Sequence, residues 1–310
     1  MRQILQTLAL AAAWLGAVPT VAAAAPVVVS SKLSSESAMI GEMIRQLLEA
    51  HGIPTTNRLT LGATPVVRKA LLAGEIDLYV EYTGNAGFFF NRAGDPAWKD
   101  LQRGYELGAQ LDYEANRIVW LAPAPASNSW ALAVRKDVAA EHGLATMSDF
   151  ARWVRGGGKA RLACSAEFAN AGTLRSIEQT YGFHLEPRQK IVLAGGETAA
   201  TIGAAAARTN GINTAMVYGT DGGIAAARLV LLEDDRRDQP IYAPVPIIRE
   251  QVLRDHPATK SIVDELMQGL DTRTLQALNA RMQIDGESAA EVAGDHLRER
   301  GLLPAATGTR

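Results

Sequence analysis

The chain has a single cysteine, Cys164, in 310 residues. No intramolecular disulfide can form, and the thiol stands far from the amino-terminal region where a lipid-bearing cysteine would have to be. Within the apolar run "ARLACS" it reads as a small buried group rather than a nucleophile. A dominant charge is also missing. The formal net charge of −2 leaves no basic face for nucleic acid and no acidic tail, so a partner must be recognised locally. The histidines His51, His142, His184, His256 and His296 contain no i, i+4 pair and have no cysteine beside them. They encode no local metal site and read as surface or helix-end residues. No G-x-S-x-G elbow, P-loop or G-x-G-x-x-G after a strand is present. Neither a metal nor a cofactor is expected.

Long apolar runs are confined to the amino terminus. Arg2 is followed by "ILQTLALAAAWLGAV" and then by Ala22-Ala23-Ala24, a small-x-small cleavage pattern before Ala25 or Pro26. The run is shorter than the roughly 20 residues a membrane span requires, so residues 1–24 read as a secretory signal peptide. Export without disulfides or a lipid anchor predicts a freely soluble, monomeric protein of a Gram-negative periplasm.

What remains is ordinary globular composition, 47% hydrophobic and 21% charged, arranged as alternating short strands and amphipathic helices. After the strand "VVVSSK", a helix is predicted from about Ser35 to His51, with Met39, Ile40, Met43, Ile44, Leu47 and Leu48 on one face. "RLTLGATPVVRKALLAG" repeats the scheme, with Thr64 as N-cap, Pro65 at the first helical position and Gly74 as the stop. The strand "IDLYVEY" follows and ends on Tyr82 before the turn "TGN". Such an alternation predicts an α/β fold with parallel neighbours, whose ligand sites lie outside the carboxyl ends of the strands.

Two proline-rich passages, Ala122 to Asn128 and Glu233 to Pro246, bracket a middle set of strands and helices. The pattern predicts two lobes joined by two crossovers: residues 25–126 with 237–310 in one, 127–236 in the other. A two-lobed, type II-like binding fold that closes on a ligand is the expected architecture. Two weaker signals accompany it. The glycines of "LAGGETAATIG" precede a helix and could hold an anion, although a plain turn explains them better. The acids Glu233, Asp234 and Asp235, with Asp221, could be drawn into a hydrolytic site, although a solvated charge run explains them better.

Aromatics are scarce at 6%, and four of them fall at strand ends or linker starts: Tyr82, Trp130, Tyr218 and Tyr242. Several ring faces around one point suit a cation that cannot donate hydrogen bonds, at roughly 0.5–2 kcal/mol per ring. A quaternary ammonium is such a cation.

The segments "LGATPVVRKALLAGEIDLYVEYTGN", "NSWALAV", "MVYGTDGG" and "QPIYAPVP" resemble the substrate-binding proteins of osmoprotectant ABC importers, the OpuBC/ProX-like group, and within it the OsmF (YehZ) type. The resemblance spans about Pro26 to Leu303. It implies a non-enzymatic periplasmic receptor that carries glycine betaine, choline or a relative to an inner-membrane permease with its ATPase. It also implies an aromatic box on Tyr82, Trp130, Tyr218 and Tyr242, with polar contacts from Lys32 and Asn85; Thr64 and Asn128, at a helix start and a linker, complete the expected binding set. Where many members carry an arginine for the ligand carboxylate, this chain has Ala171, with Arg175 one helical turn on.

Overall fold

The computed structural model describes residues 25–170, 172–193 and 198–304. Residues 1–24, read above as a signal peptide, Ala171 and the Gly195-Gly196 pair lie outside the described residues.

The strands, in chain order, are β1 (Val27–Lys32), β2 (Thr55–Gly62), β3 (Leu78–Tyr82), β4 (Ile118–Trp120), β5 (Trp130–Arg135), β6 (Leu162–Cys164), β7 (Lys190–Val192), β8 (Thr214–Tyr218), β9 (Leu229–Leu231) and β10 (Pro244–Arg249). They form two five-stranded sheets, ordered β2-β1-β3-β10-β4 and β7-β6-β8-β5-β9. The two sheets share one plan. In the first, β1 pairs in parallel with β2 and β3, and β10 runs antiparallel to β3 and β4. In the second, β6 pairs in parallel with β7 and β8, and β5 runs antiparallel to β8 and β9. The reversed strand of each sheet is the one entered directly from a crossover, so each sheet is finished by a strand that arrives from the other. Of the second proline-rich passage, the last residues, Pro244 to Pro246, belong to β10.

Both faces of each sheet are covered. Against the first, helix Ser35–Ala50 buries Met39, Ile40, Met43, Ile44, Leu47 and Leu48 together with Leu78, Val80 and the carboxy-terminal helices. The opposite face packs Val67, Leu71, Tyr79, Trp98 and Trp120. The second sheet has the same two cores, one around Phe150, Phe168 and Tyr181 with Cys164, the other around Ile202, Ile212 and Val217. Cys164 is fully buried, and burial raises its thiol pKa, as suits a packing residue.

Local capping departs from expectation at one helix start. Helix Thr64–Ala73 has Ala63 as its N-cap, without a side-chain cap bond, so Thr64 is the first helical residue and Pro65 the second. The Pro65 ring still suits the first turn, where its missing N–H costs no bond, and Gly74 ends the helix at φ 74°. In the second lobe, helix Met147–Arg155 is opened by a reciprocal Thr146–Asp149 capping box. His296 is a helix-end residue, in the last turn of helix Ala289–Glu299, but it is not on the surface: it is 6% exposed, and burial followed by Arg300 lowers its pKa.

The crossovers, 121–129 and 232–243, lie side by side. Asn128 N–H donates to the Tyr242 carbonyl at 2.9 Å, and the Ser129 hydroxyl to the Pro240 carbonyl at 2.6 Å. The acidic run is part of this scaffold. Asp234 accepts the Tyr181 hydroxyl and the backbone N–H groups of Asp238 and Gln239, and Asp235 accepts the N–H of Ser148. These acids tie the second crossover to its lobe rather than forming a hydrolytic pair. Among the described residues no group of three metal-ligating side chains converges, and no helix is long and apolar enough to cross a membrane.

Candidate ligand cavity between the two sheets

Side chains on β3 alternate between faces. Leu78 and Val80 face helix Ser35–Ala50, so Tyr82 shares their face and, at the strand's end, reaches the first turn of that helix. Its hydroxyl donates to Glu36 Oε1 at 2.8 Å. Ser34 caps the helix, and Glu36 is the acidic residue of its first turn, the favourable end of the helix dipole. The ring is 7% exposed. Burial first, and then the Glu36 charge, push the Tyr82 pKa well above the usual tyrosine value.

Around this pair lies a cavity of about 320 Å³. The first lobe contributes Ser34, Ser35, Glu36, Tyr82 and Asn85; the second contributes Tyr218, Thr220 and Asp221. Asn128 and Tyr242 come from the crossovers, and Asn279 and Gln283 from helix Thr272–Gln283. Tyr242 is seated by both crossovers and by Gly84, where a Cβ would stand 2.8 Å from its ring. Gly84 is therefore needed for close approach of the tyrosine rather than for an unusual backbone angle. At the end of β8, the Tyr218 N–H donates to Asp221 Oδ2 at 2.7 Å. Burial is the main cause that lifts the Asp221 carboxyl to about 6, and the Glu36 charge adds to it.

Tyr82, Tyr218, Tyr242, Asn85 and Asn128 thus come together at one cavity. Lys32, Thr64 and Trp130 do not line it. Lys32 is buried and ion-paired with Glu81, which also accepts the Tyr79 hydroxyl at 2.8 Å and the Asn85 amide at 2.6 Å. Its ammonium lies 4.8 Å from the Tyr82 ring centroid, against the ring's face. Thr64, half-buried, belongs to the helix on the other side of β1 and β2. Trp130 is the cross-strand neighbour of Tyr218. It stacks on that tyrosine at 6.2 Å and 22°, meets Phe168 edge-on at 5.8 Å, and lines a separate cavity with Ser127, Ser129 and Gly219. Arg175 is exposed on helix Thr173–Tyr181.

Glu36 and Asn279 were not singled out from sequence. Asn279 Nδ2 donates to Glu36 Oε2 at 2.7 Å and to the Thr220 carbonyl at 2.8 Å, joining the first lobe to the second. An acidic residue in a helix that starts just past a parallel strand was an available signal, because such helix starts face the cleft. Asn279 stands 243 residues from Glu36 and had no local signal.

Two sheets of one plan, joined by paired crossovers around a small aromatic and acidic cavity, define the two-lobed solute-receptor class. The chain belongs to the family described as the substrate binding domain of ABC-type glycine betaine transport systems, matched over residues 25–299. It is 49% identical over 280 residues to the glycine betaine-binding protein YehZ of Escherichia coli strain K12, covering 90% of this chain and 92% of that one. It is 30% identical to a glycine-betaine-binding protein of Pseudomonas aeruginosa strain PAO1, covering 98% and 96%. The solved structure of apo YehZ from Escherichia coli superposes with a TM-score of 0.86 at 48% identity, over 90% of this chain and all of that one. The relatives are substrate-binding proteins of transport, and the fold is that of two-lobed periplasmic binding proteins.

Proposed function

We propose that the protein is a periplasmic receptor that holds glycine betaine or a related quaternary ammonium solute in the cavity between its lobes and delivers it to an inner-membrane permease with its ATPase. Three tyrosine rings, Tyr82, Tyr218 and Tyr242, around a cavity that also holds two carboxylates carry the reading. Ring faces and acids both favour a cation, and a trimethylammonium, which donates no hydrogen bond, is served best by rings. Among the described residues the cavity lining has no histidine, cysteine or lysine to activate a nucleophile, which supports binding without turnover.

The lobes are residues 25–126 with 237–310, and 127–236. Closure about the two crossovers is driven by how much better the ligand fits the closed state than the open one. Residues 1–24 direct export, and the mature protein acts as a soluble monomer. At the carboxylate end of a betaine, the donors nearest to hand are the hydroxyls of Ser34 and Ser35 and the amide of Gln283, because among the described residues no lysine or arginine lines the cavity. A bidentate arginine is among the strongest carboxylate partners, so betaine affinity is expected to be modest. Calorimetric titration of the mature protein with glycine betaine, choline, proline betaine and carnitine tests the reading. Heat of binding from at least one is expected; none from any of them, with the protein shown folded, excludes this ligand class.

A further inference from the structure

Six acidic side chains are buried among the described residues: Glu36, Glu42, Glu81, Asp112, Asp221 and Asp238. Four of them have a basic partner. Glu42 pairs with Arg45, Glu81 with Lys32, Asp112 bidentately with Arg68 at 2.6 and 2.7 Å, and Asp238 with Lys99 at 3.8 Å. The other two, Glu36 and Asp221, form no ion pair among the described residues, and these are the two that line the cavity. Taking a carboxylate out of water is costly unless a counter-charge or hydrogen bonds replace the lost hydration.

Glu36, 4% exposed, is held by neutral donors alone: Tyr82 Oη at 2.8 Å and Asn128 Nδ2 at 3.0 Å on Oε1, and Asn279 Nδ2 at 2.7 Å on Oε2. The donors come from β3, the first crossover and helix Thr272–Gln283, three segments that form the cavity wall. One carboxylate therefore fixes the wall and leaves its charge facing the cavity without a cation of the protein's own.

We infer that Glu36, seconded by Asp221, is the specificity-determining counter-charge of the site, selecting a ligand for its positive charge as well as for the shape of its methyl cluster. The inference rests on the receptor reading above. Rings alone accept a neutral tert-butyl group by apolar contact; a carboxylate without a counter-ion rewards only the cation. Glu36 acts on the ligand through its field, and on Tyr82 by fixing the hydroxyl.

The test compares each quaternary ligand with its carbon isostere: glycine betaine against tert-butylacetate, and choline against neohexyl alcohol. Calorimetry with the mature wild type, Glu36→Gln and Glu36→Asp, each checked by thermal melt, reads the preference for the charged member. The expected result is a preference reduced by about tenfold or more in Glu36→Gln. In Glu36→Asp the preference is kept while both members bind more weakly, because the shortened carboxylate draws away from its three donors. An unchanged preference in folded Glu36→Gln overturns the inference and leaves the receptor reading intact. Should Glu36→Gln not fold, Asp221→Asn carries the same measurement, and an unchanged preference there overturns it equally. A wild type that binds neither glycine betaine nor choline overturns the receptor reading and this inference together, before any variant is made.

Discussion

The third strand of each sheet ends on a tyrosine, Tyr82 on β3 and Tyr218 on β8, and the two occupy equivalent places in the shared plan. Their surroundings differ. Tyr82 is 7% exposed, pinned by Glu36 at its hydroxyl and by the Lys32 ammonium against its ring. Tyr218 is 39% exposed and leans on Trp130. One topology thus delivers a fixed wall and a more open one. A receptor that closes on its ligand needs this division, since preorganising one wall lowers the ordering cost while the other admits the solute.

The largest effect is expected at the fixed wall. Tyr82→Ala removes a buried ring, which costs about 3–5 kcal/mol of stability, and a desolvated cation–π face, a loss of about thirtyfold in affinity at about 2 kcal/mol. A thermal melt and a titration with glycine betaine read the two separately. Tyr82→Phe keeps the face and gives up only the bond to Glu36, so most of the affinity should return. Equal losses in the two variants would show that the hydroxyl, not the ring, carries the wall.

Next comes Asp221, beside Tyr218. Its folded-state pKa, about 6, lies above the ordinary 3.8. The folded protein therefore holds a proton that the unfolded chain has released, and stability falls as pH rises from about 4 to about 6, then levels. Asp221→Asn should flatten that window and raise stability at neutral pH by on the order of 1–3 kcal/mol. Urea melts from pH 4 to pH 8 measure it. Parallel curves for wild type and variant would place the cause of any slope elsewhere.

At the open wall, Tyr218→Ala should weaken a trimethylammonium ligand by about tenfold. It should change stability by less than about 1 kcal/mol, because the ring is part-exposed. This is the sharper half of the comparison. If Tyr218→Ala destabilises as much as Tyr82→Ala, the two walls are equally structural and the division fails.

How much of this was legible depended on whether a signal was local. The α/β alternation, the long first helix and the strand-end tyrosines follow from periodicity and from where scarce rings fall. Lys32 also stands at a strand end, and nothing near it indicates that Glu81, 49 residues later, takes its charge. Trp130 opens a strand, yet register with Tyr218 turns it behind that ring instead of beside it. Glu36 reads as a routine first-turn acid until Tyr82, Asn128 and Asn279 are seen to converge on it. Periodicity gives the face on which a residue lies; pairing across lobes decides whether it meets ligand, and pairing is written nowhere locally.

Trp130 supplies the smallest and most discriminating test. Its stack on Tyr218 and its edge contact with Phe168 each belong to a class worth about 0.5–1.5 kcal/mol. Trp130→Phe keeps a smaller ring behind Tyr218 and removes an indole N–H that is buried without a partner among the described residues. An unmade buried bond is a standing cost, so stability should hold or rise slightly, while affinity for a trimethylammonium ligand falls about threefold as Tyr218 loses backing. A loss of about tenfold or more in Trp130→Phe would mean that the indole itself meets the ligand on closure, as the family resemblance implies. The second lobe would then bring two rings to the cation, Tyr218 and Trp130, and the open wall would hold as many rings of the box as the fixed one.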